Sequence, residues 1–309
     1  MLLPADLRQK LSPDSVSCLP AEIRKEVLTL LEELQGHSTR RSLIEWARHC
    51  GYEPAAHHRL LIAELEKVAS GETPRLAVFM PPGSAKSTYA SVLFPAWLLA
   101  KSNWNILAAS HTTELAEKWG RRIRNLIAEH SVTLGISLAA DSQAAGRWAL
   151  EGGAEYYAAG VGTGIAGFRA RVGLIDDPIR SRQDADSELI RDRVWDWYIN
   201  DFKTRLVPRA AEILIQTRWQ EDDLAGRALN HEEWKVICLP ALAEANDPLG
   251  RQLNEPLWDD DDYGRRCRPR CELTYELPTL LPMKIPNALP VSIQQLVREG
   301  AVNGSINSN

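Results

Sequence analysis

The stretch Met80-Pro81-Pro82-Gly83-Ser84-Ala85-Lys86-Ser87-Thr88 has the residue types of a phosphate cradle. A turn of small residues lets successive backbone N–H groups converge on one anion. A lysine ammonium then reaches the outer phosphates, and the hydroxyl that follows it can ligate Mg²⁺. Pro82, Gly83, Ser84, Ala85, Lys86, Ser87 and Thr88 are therefore the candidate nucleotide-binding residues. The pattern departs from G-x-x-x-x-G-K-[ST] at both glycines. Met80 stands at the first and Ala85 at the second, which leaves Gly83 alone. A Pro-rich turn between a strand and a helix with an exposed lysine would read the same, so the stretch needs partners elsewhere.

Two other stretches supply them. Arg171-Val-Gly-Leu-Ile175 is an apolar run that ends in Asp176, Asp177 and Pro178. Nucleotide hydrolysis needs a cradle, a metal and a group that positions or deprotonates water. Asp176 suits the metal together with Ser87, acting mostly through metal-bound water because Mg²⁺ keeps part of its hydration shell. Asp177 suits the group that orients the attacking water, so Asp177 and Lys86 are the candidate catalytic residues. Adjacent acids are common at solvated turns, and it is the upstream loop and the apolar run that give this pair meaning. The run Ala211 to Gln216 ends in turn at Thr217 and Arg218. Polar groups there can sense the outermost phosphate and pass its loss on. The plain alternative is a strand end with Arg218 paired to Glu221 or Asp222.

These tips need elements to carry them. Leu76 to Met80, Asn105 to Ser110, Arg171 to Ile175, Ala211 to Gln216 and Trp234 to Leu239 read as strands. Helical spacing covers Ala21 to Gln35, Ser42 to His49, Arg59 to Ala69, Ser87 to Leu99 and Ser187 to Asn200, and a further helix that Thr112 or Thr113 can cap runs to about Glu129. Pro95 is expected to kink or end its helix. Strands alternating with helices predict an α/β fold with a central, mostly parallel sheet flanked by helices, and the phosphate-cradle stretch between a strand and a helix makes the expectation a P-loop NTPase. Such sheets hold ligands at the carboxyl ends of their strands, where every polar tip above falls. A helical N-terminal arm is expected over 1–50, the ATPase domain over 51–243, and an irregular, Pro-rich tail over 244–309. His57 and His58 read either as neighbours of the base or as surface residues before a helix. Arg121, Arg122 and Arg124 read as a solvated face or a phosphate contact, and Arg169 or Arg171 as an arginine finger in a ring.

The chain of 309 residues is 44% hydrophobic and 25% charged, enough to bury the core of one large domain. Its net charge of −5 excludes a generally basic nucleic-acid coat but leaves room for a local basic face. Five scattered cysteines make a disulfide framework a poor expectation. No apolar stretch approaches the ~20 residues of a membrane span. The start lacks the basic flank and apolar core of a signal peptide, so a cytoplasmic protein without a membrane partner is expected.

Taken together, these pieces resemble the large subunit of a tailed-phage terminase, the DNA-packaging motor. The likeness is carried by HHRLLIAELEKVASGETPRLAVFMPPGSAKSTYASVLFPAWLLA, VGLIDDPI, ILIQTRWQEDDLAGR and LPALAE…DPLGR, between residues 50 and 258. The resemblance implies that Lys86 and Ser87 are the Walker-A pair, Asp176 the Walker-B acid, Asp177 the catalytic carboxylate and Thr217 the coupling residue. Many such proteins carry Glu where Asp177 stands. The cofactors implied are ATP and Mg²⁺. The partners implied are double-stranded DNA, a portal protein and a terminase small subunit, with copies of the chain in a ring in the bacterial host cytoplasm. The family also implies a C-terminal nuclease domain. After Tyr263 the likeness stops, so the expectation is an ATPase half truncated before that domain and without endonuclease activity. Two other readings stay open: a P-loop phosphotransferase acting on a small molecule, and an inactive remnant that binds nucleotide or a partner.

Overall fold

Leu76 and Val78 face one side of their strand, Ala77 and Phe79 the other, and all four are buried. A two-residue alternation with no polar face is the pattern of a strand covered on both sides. The computed structural model describes residues 24, 25 and 36–258. All but Arg24 and Lys25 fall in the unit 36–272.

The strands are β1 (Arg75–Phe79), β2 (Ile106–Ser110), β3 (Leu138–Gln143), β4 (Arg147–Leu150), β5 (Glu155–Gly160), β6 (Ala170–Asp176), β7 (Leu206–Gln216) and β8 (Lys235–Cys238). They form one eight-stranded sheet in the order β3-β4-β5-β2-β6-β7-β1-β8. The pairs from β5 through β8 are parallel. β3 and β4 join antiparallel at the β5 edge. The sheet is thus mixed, and the antiparallel edge is an addition to the mostly parallel sheet read from the sequence.

The helices are α1 (Leu43–His49), α2 (Ala56–Ser70), α3 (a helical run over 86–102), α4 (Thr113–Glu129), α5 (Ser131–Leu134), α6 (Arg182–Asp186), α7 (Glu188–Trp197) and α8 (Leu224–His231). One face of the sheet, with Leu76, Val78, Leu174 and Ile213, packs against α1 to α4. The other, with Ala77, Phe79 and Leu214, packs against α7, α8 and the turn Tyr198–Phe202. Gly173, at the middle of β6, makes room on that second face. A Cβ there would lie 2.8 Å from the Phe202 ring.

α1 does not behave as an arm. Leu43, Trp46 and Ala47 sit in the same core as α2 and α3, and the Trp46 indole N–H donates to the Leu93 carbonyl at 3.0 Å. Leu249, Leu257 and Trp258 pack there too, so residues expected in the tail join the core. Of the helix expected over 21–35, only Arg24 and Lys25 are described, and both are helical. The rest of that helix, and the expected tail beyond 258, lie outside the described residues.

Pro95 neither ends nor breaks α3. The run begins as Lys86–Thr88, widens to a π-helical turn at Tyr89–Leu93, and continues as Phe94–Ser102. A proline inside an α-helix clashes with the carbonyl four residues back and lacks the N–H that would bond to it. The wider turn places Pro95 at the start of a new α-helical segment, where neither penalty applies.

An ion network ties the start of β1 to the middle of β7. Arg75 lies opposite Glu212 in register and bonds it at 3.2 Å. Arg75 also contacts Glu232, which Lys203 reaches from the other side, and the Tyr198 hydroxyl donates to Glu212 at 2.8 Å. Glu212 is buried, and Arg75→Ala leaves its charge with only the Tyr198 hydroxyl and the Lys203 ammonium, 3.8 Å away, in a low-dielectric site. Urea titration is expected to show a loss of about 3 kcal/mol in unfolding free energy. A loss under about 0.5 kcal/mol, the scale of an ordinary surface substitution, would refute this account of the network.

Candidate functional site

Strand order decides which tips meet. β7 lies between β6 and β1, so the stretches after Phe79, Asp176 and Gln216 emerge side by side at the carboxyl edge. The register confirms it: Phe79 pairs with Gln216, and Asp176 with Ile215.

From β1 the chain enters the loop through Met80. Gly83 and Ala85 both take left-handed backbone, with φ of 84° and 56°. Glycine adopts this freely, whereas for alanine it costs about 1 kcal/mol. The missing second glycine is therefore a strained alanine in the conformation a glycine would take. Pro82 and Gly83 are exposed, Ser84 is buried, and α3 begins at Lys86. Lys86 is itself buried, and its ammonium donates to the Thr217 hydroxyl at 3.2 Å. Thr88 continues the first turn, its N–H donating to the Ala85 carbonyl.

Asp176 accepts from two serines on α3. The Ser87 hydroxyl donates to one carboxylate oxygen at 3.1 Å and the Ser91 hydroxyl to the other at 2.6 Å. Ser91 lies in the π-helical turn, so the widened backbone that accommodates Pro95 also carries a hydroxyl to Asp176. Asp176 is 2% exposed. Burial first, and the neighbouring Asp177 second, raise its pKa from 3.8 to about 6, against the pull of Ser91, Ser87 and Lys86.

Asp177 also has left-handed backbone, with φ of 46°. Three neighbours pin it. Its N–H donates to the Ile215 carbonyl at 2.8 Å, and one carboxylate oxygen accepts from the Thr217 N–H at 3.0 Å. Its carbonyl accepts from the His111 N–H at 3.2 Å and lies 3.1 Å from the His111 Nδ1. Thr217 is thus the common member, with its hydroxyl on Lys86 and its N–H on Asp177.

Arg218 belongs to a different cluster. Its Nε donates to Asp223 at 2.7 Å, its Nη2 lies 3.0 Å from the Glu221 carbonyl, and its guanidinium stacks over Phe79. The partner is therefore Asp223, not the side chain of Glu221 or Asp222. Asp223 also caps α8 through the Gly226 N–H and accepts from Gln216. Asp177, Pro178, Ile179, Ala185, Gln216, Thr217, Trp219 and Asp223 line a small cleft between the two clusters.

The structure therefore brings Lys86, Ser87, Asp176, Asp177 and Thr217 together. It leaves Arg218 bracing the adjoining turn. Sequence reasoning missed Ser91, His111 and Asp223. Ser91 carried a legible signal, since it lies one helical turn beyond Ser87 on a helix face. His57 and His58 are buried, which removes the surface reading. Arg169 and Arg171 flank the start of β6, at the far end of that strand from Asp176, and donate to the Thr204 and Pro208 carbonyls. On α4, Arg121 pairs with Glu117 and Arg122 lies over Trp119.

A family model described as "Terminase large subunit, T4likevirus-type, N-terminal" matches residues 78–261, more than half of the chain. The chain belongs to the phage terminase large subunit family. Among curated proteins none matches it. The match to this terminase family spans the loop, both aspartates, Thr217 and Arg218. Among the described residues no helix is long and apolar enough to cross a membrane.

Proposed function

We propose that this terminase large subunit is an ATPase with a P-loop NTPase fold, and that it spends ATP to move double-stranded DNA. The observation that carries the proposal is the convergence of Lys86 and Ser87 with Asp176, Asp177 and Thr217 at the carboxyl edge of the parallel strands β6, β7 and β1. The donor set suits Mg²⁺. The Ser87 hydroxyl and the Asp176 carboxylate are hard oxygen ligands already 3.1 Å apart. When bound, Mg²⁺ neutralises charge on the phosphate oxygens.

The chain's own groups divide the remaining work. The N–H groups of Ala85 and Lys86, with the Lys86 ammonium, hold the phosphates. Asp177 orients and deprotonates the attacking water, held in place by the Thr217 N–H. Lys86 gives Thr217 its sensing role. A terminal phosphate competes with the Thr217 hydroxyl for the lysine ammonium, and loss of that phosphate returns the lysine to Thr217. Because the Thr217 N–H holds Asp177, the exchange reaches the water-positioning group directly. The portal protein, the small subunit and a ring of copies rest on family membership. Nuclease activity is no part of this proposal.

Steady-state ATP hydrolysis, measured with and without linear duplex DNA, tests the reading. Mg²⁺-dependent turnover that rises several-fold with DNA is the expected result. Phosphoryl transfer to a small-molecule acceptor with no response to DNA would favour the phosphotransferase instead. Nucleotide binding without turnover would favour the inactive remnant.

A further inference from the structure

We infer that His58 is a positioning residue for the phosphate loop, aiming the Ala85 N–H at the bound anion; the inference rests on the nucleotide reading above. His58 is 1% exposed on α2, beneath the loop. Its two ring nitrogens have separate tasks. The Ala55 N–H donates to Nδ1 at 3.1 Å, so Nδ1 is the acceptor and the proton sits on Nε2. Nε2 lies 2.9 Å from the Ser84 carbonyl, which can only accept. One hydrogen bond therefore fixes the tautomer and the other uses it.

Orientation follows from the peptide. In a trans peptide the carbonyl and the next N–H point in opposite directions. With the Ser84 carbonyl held inward by buried His58, the Ala85 N–H points outward, away from the core. That is the direction an anion-binding loop requires of its donors. The brace also acts where the loop is strained, because Ala85 takes the left-handed backbone that a glycine would ordinarily supply. Packing keeps the ring in place. It stacks on Tyr89 of α3 at 4.1 Å between centroids and 21° between planes, and it lies 3.9 Å from the His57 ring. His58 thus links α2, the loop and the π-helical turn.

Three substitutions separate the hydrogen bond from the packing. In His58→Gln, the side-chain NH₂ reaches the place of Nε2. In His58→Asn, the shorter amide reaches only the place of Nδ1. In His58→Phe, the ring remains to stack on Tyr89 but offers no donor. MgADP affinity by calorimetry and the KM and kcat for ATP are the readouts, with the thermal midpoint of the nucleotide-free protein as control. The expected result is MgADP affinity within about threefold of wild type for Gln, and about tenfold weaker for Asn and Phe, the scale of one lost buried hydrogen bond. KM for ATP should rise in step, with kcat changing less. Wild-type affinity in the Asn and Phe variants would overturn the inference. So would equal losses in all three that track the thermal midpoint, since a purely structural histidine would behave that way. Should His58→Phe not fold, the Gln and Asn comparison still decides. If the wild type itself binds no MgADP, the nucleotide reading fails and the positioning role falls with it, recognisably, because the failure then precedes any substitution.

Discussion

Asp177→Asn is expected to lower kcat for ATP hydrolysis by about 10²- to 10⁴-fold, the range for removing a general base. MgADP affinity should stay within about threefold of wild type, because asparagine keeps an oxygen that can accept from the Thr217 N–H and the phosphate loop is untouched. Chemistry and binding should therefore separate at this position. The geometry makes the prediction sharp. Asp177 is fixed by backbone bonds to Ile215 and His111 and by its left-handed φ, so its role depends on charge and not on holding the fold. Single-turnover kinetics with saturating ATP check it. A variant that turns over at the wild-type rate would move the water-positioning role to another group.

The second large effect concerns Asp176 and has opposite signs for stability and function. Its folded pKa of about 6 lies above the ordinary 3.8, so between those values the folded protein holds a proton that the unfolded chain has released. Stability contributed by the neutral acid is complete below pH 4 and is lost as pH rises through 6. The whole shift corresponds to about 3 kcal/mol. Asp176→Asn carries no charge to bury, so in EDTA at pH 8 its unfolding midpoint is expected to exceed that of wild type by a few degrees. At pH 4 the gain should vanish. The same variant should lose Mg²⁺-dependent nucleotide binding, since the amide is a poor ligand for a hard cation. A variant less stable than wild type at pH 8 would show that the serine hydroxyls more than offset the burial of charge.

Much of the site was legible because its chemistry sits at the ends of apolar runs. Lys86 and Ser87 stand out by the phosphate-cradle pattern, Asp176, Asp177 and Thr217 by their place at the ends of apolar runs, and strand order brings the five together. Arg218 shows where the rule fails. Residue type marks a charge at a strand tip but not its partner, and Asp223, a helix cap five residues on, holds it. The antiparallel edge was missed although Gly152-Gly153 stands between the short runs of β4 and β5, a turn signal of the usual kind. Of the two outcomes expected at Pro95, a kink or an end, the end does not occur, because proline rules assume α-helical spacing and the π-helical turn before it changes that spacing. Residues 43–49 looked like an arm since seven residues of helix say nothing about what they pack on. Their burial against α3 is a tertiary fact.

Ala85 is the clearest case of sequence and structure informing each other. Read as letters, it is a departure from the glycine pattern. In the fold it has the backbone of that glycine, beside a carbonyl held by a buried histidine.

If Met80 to Thr88 holds the phosphates of ATP for hydrolysis, Lys86→Ala must remove the activity without unfolding the protein. Steady-state ATPase assays on Lys86→Ala and wild type, with duplex DNA present and thermal midpoints matched, are expected to show DNA-stimulated turnover in the wild type and a loss of at least about a hundredfold in the variant. Equal activity in the two proteins would rule the phosphate-binding role out.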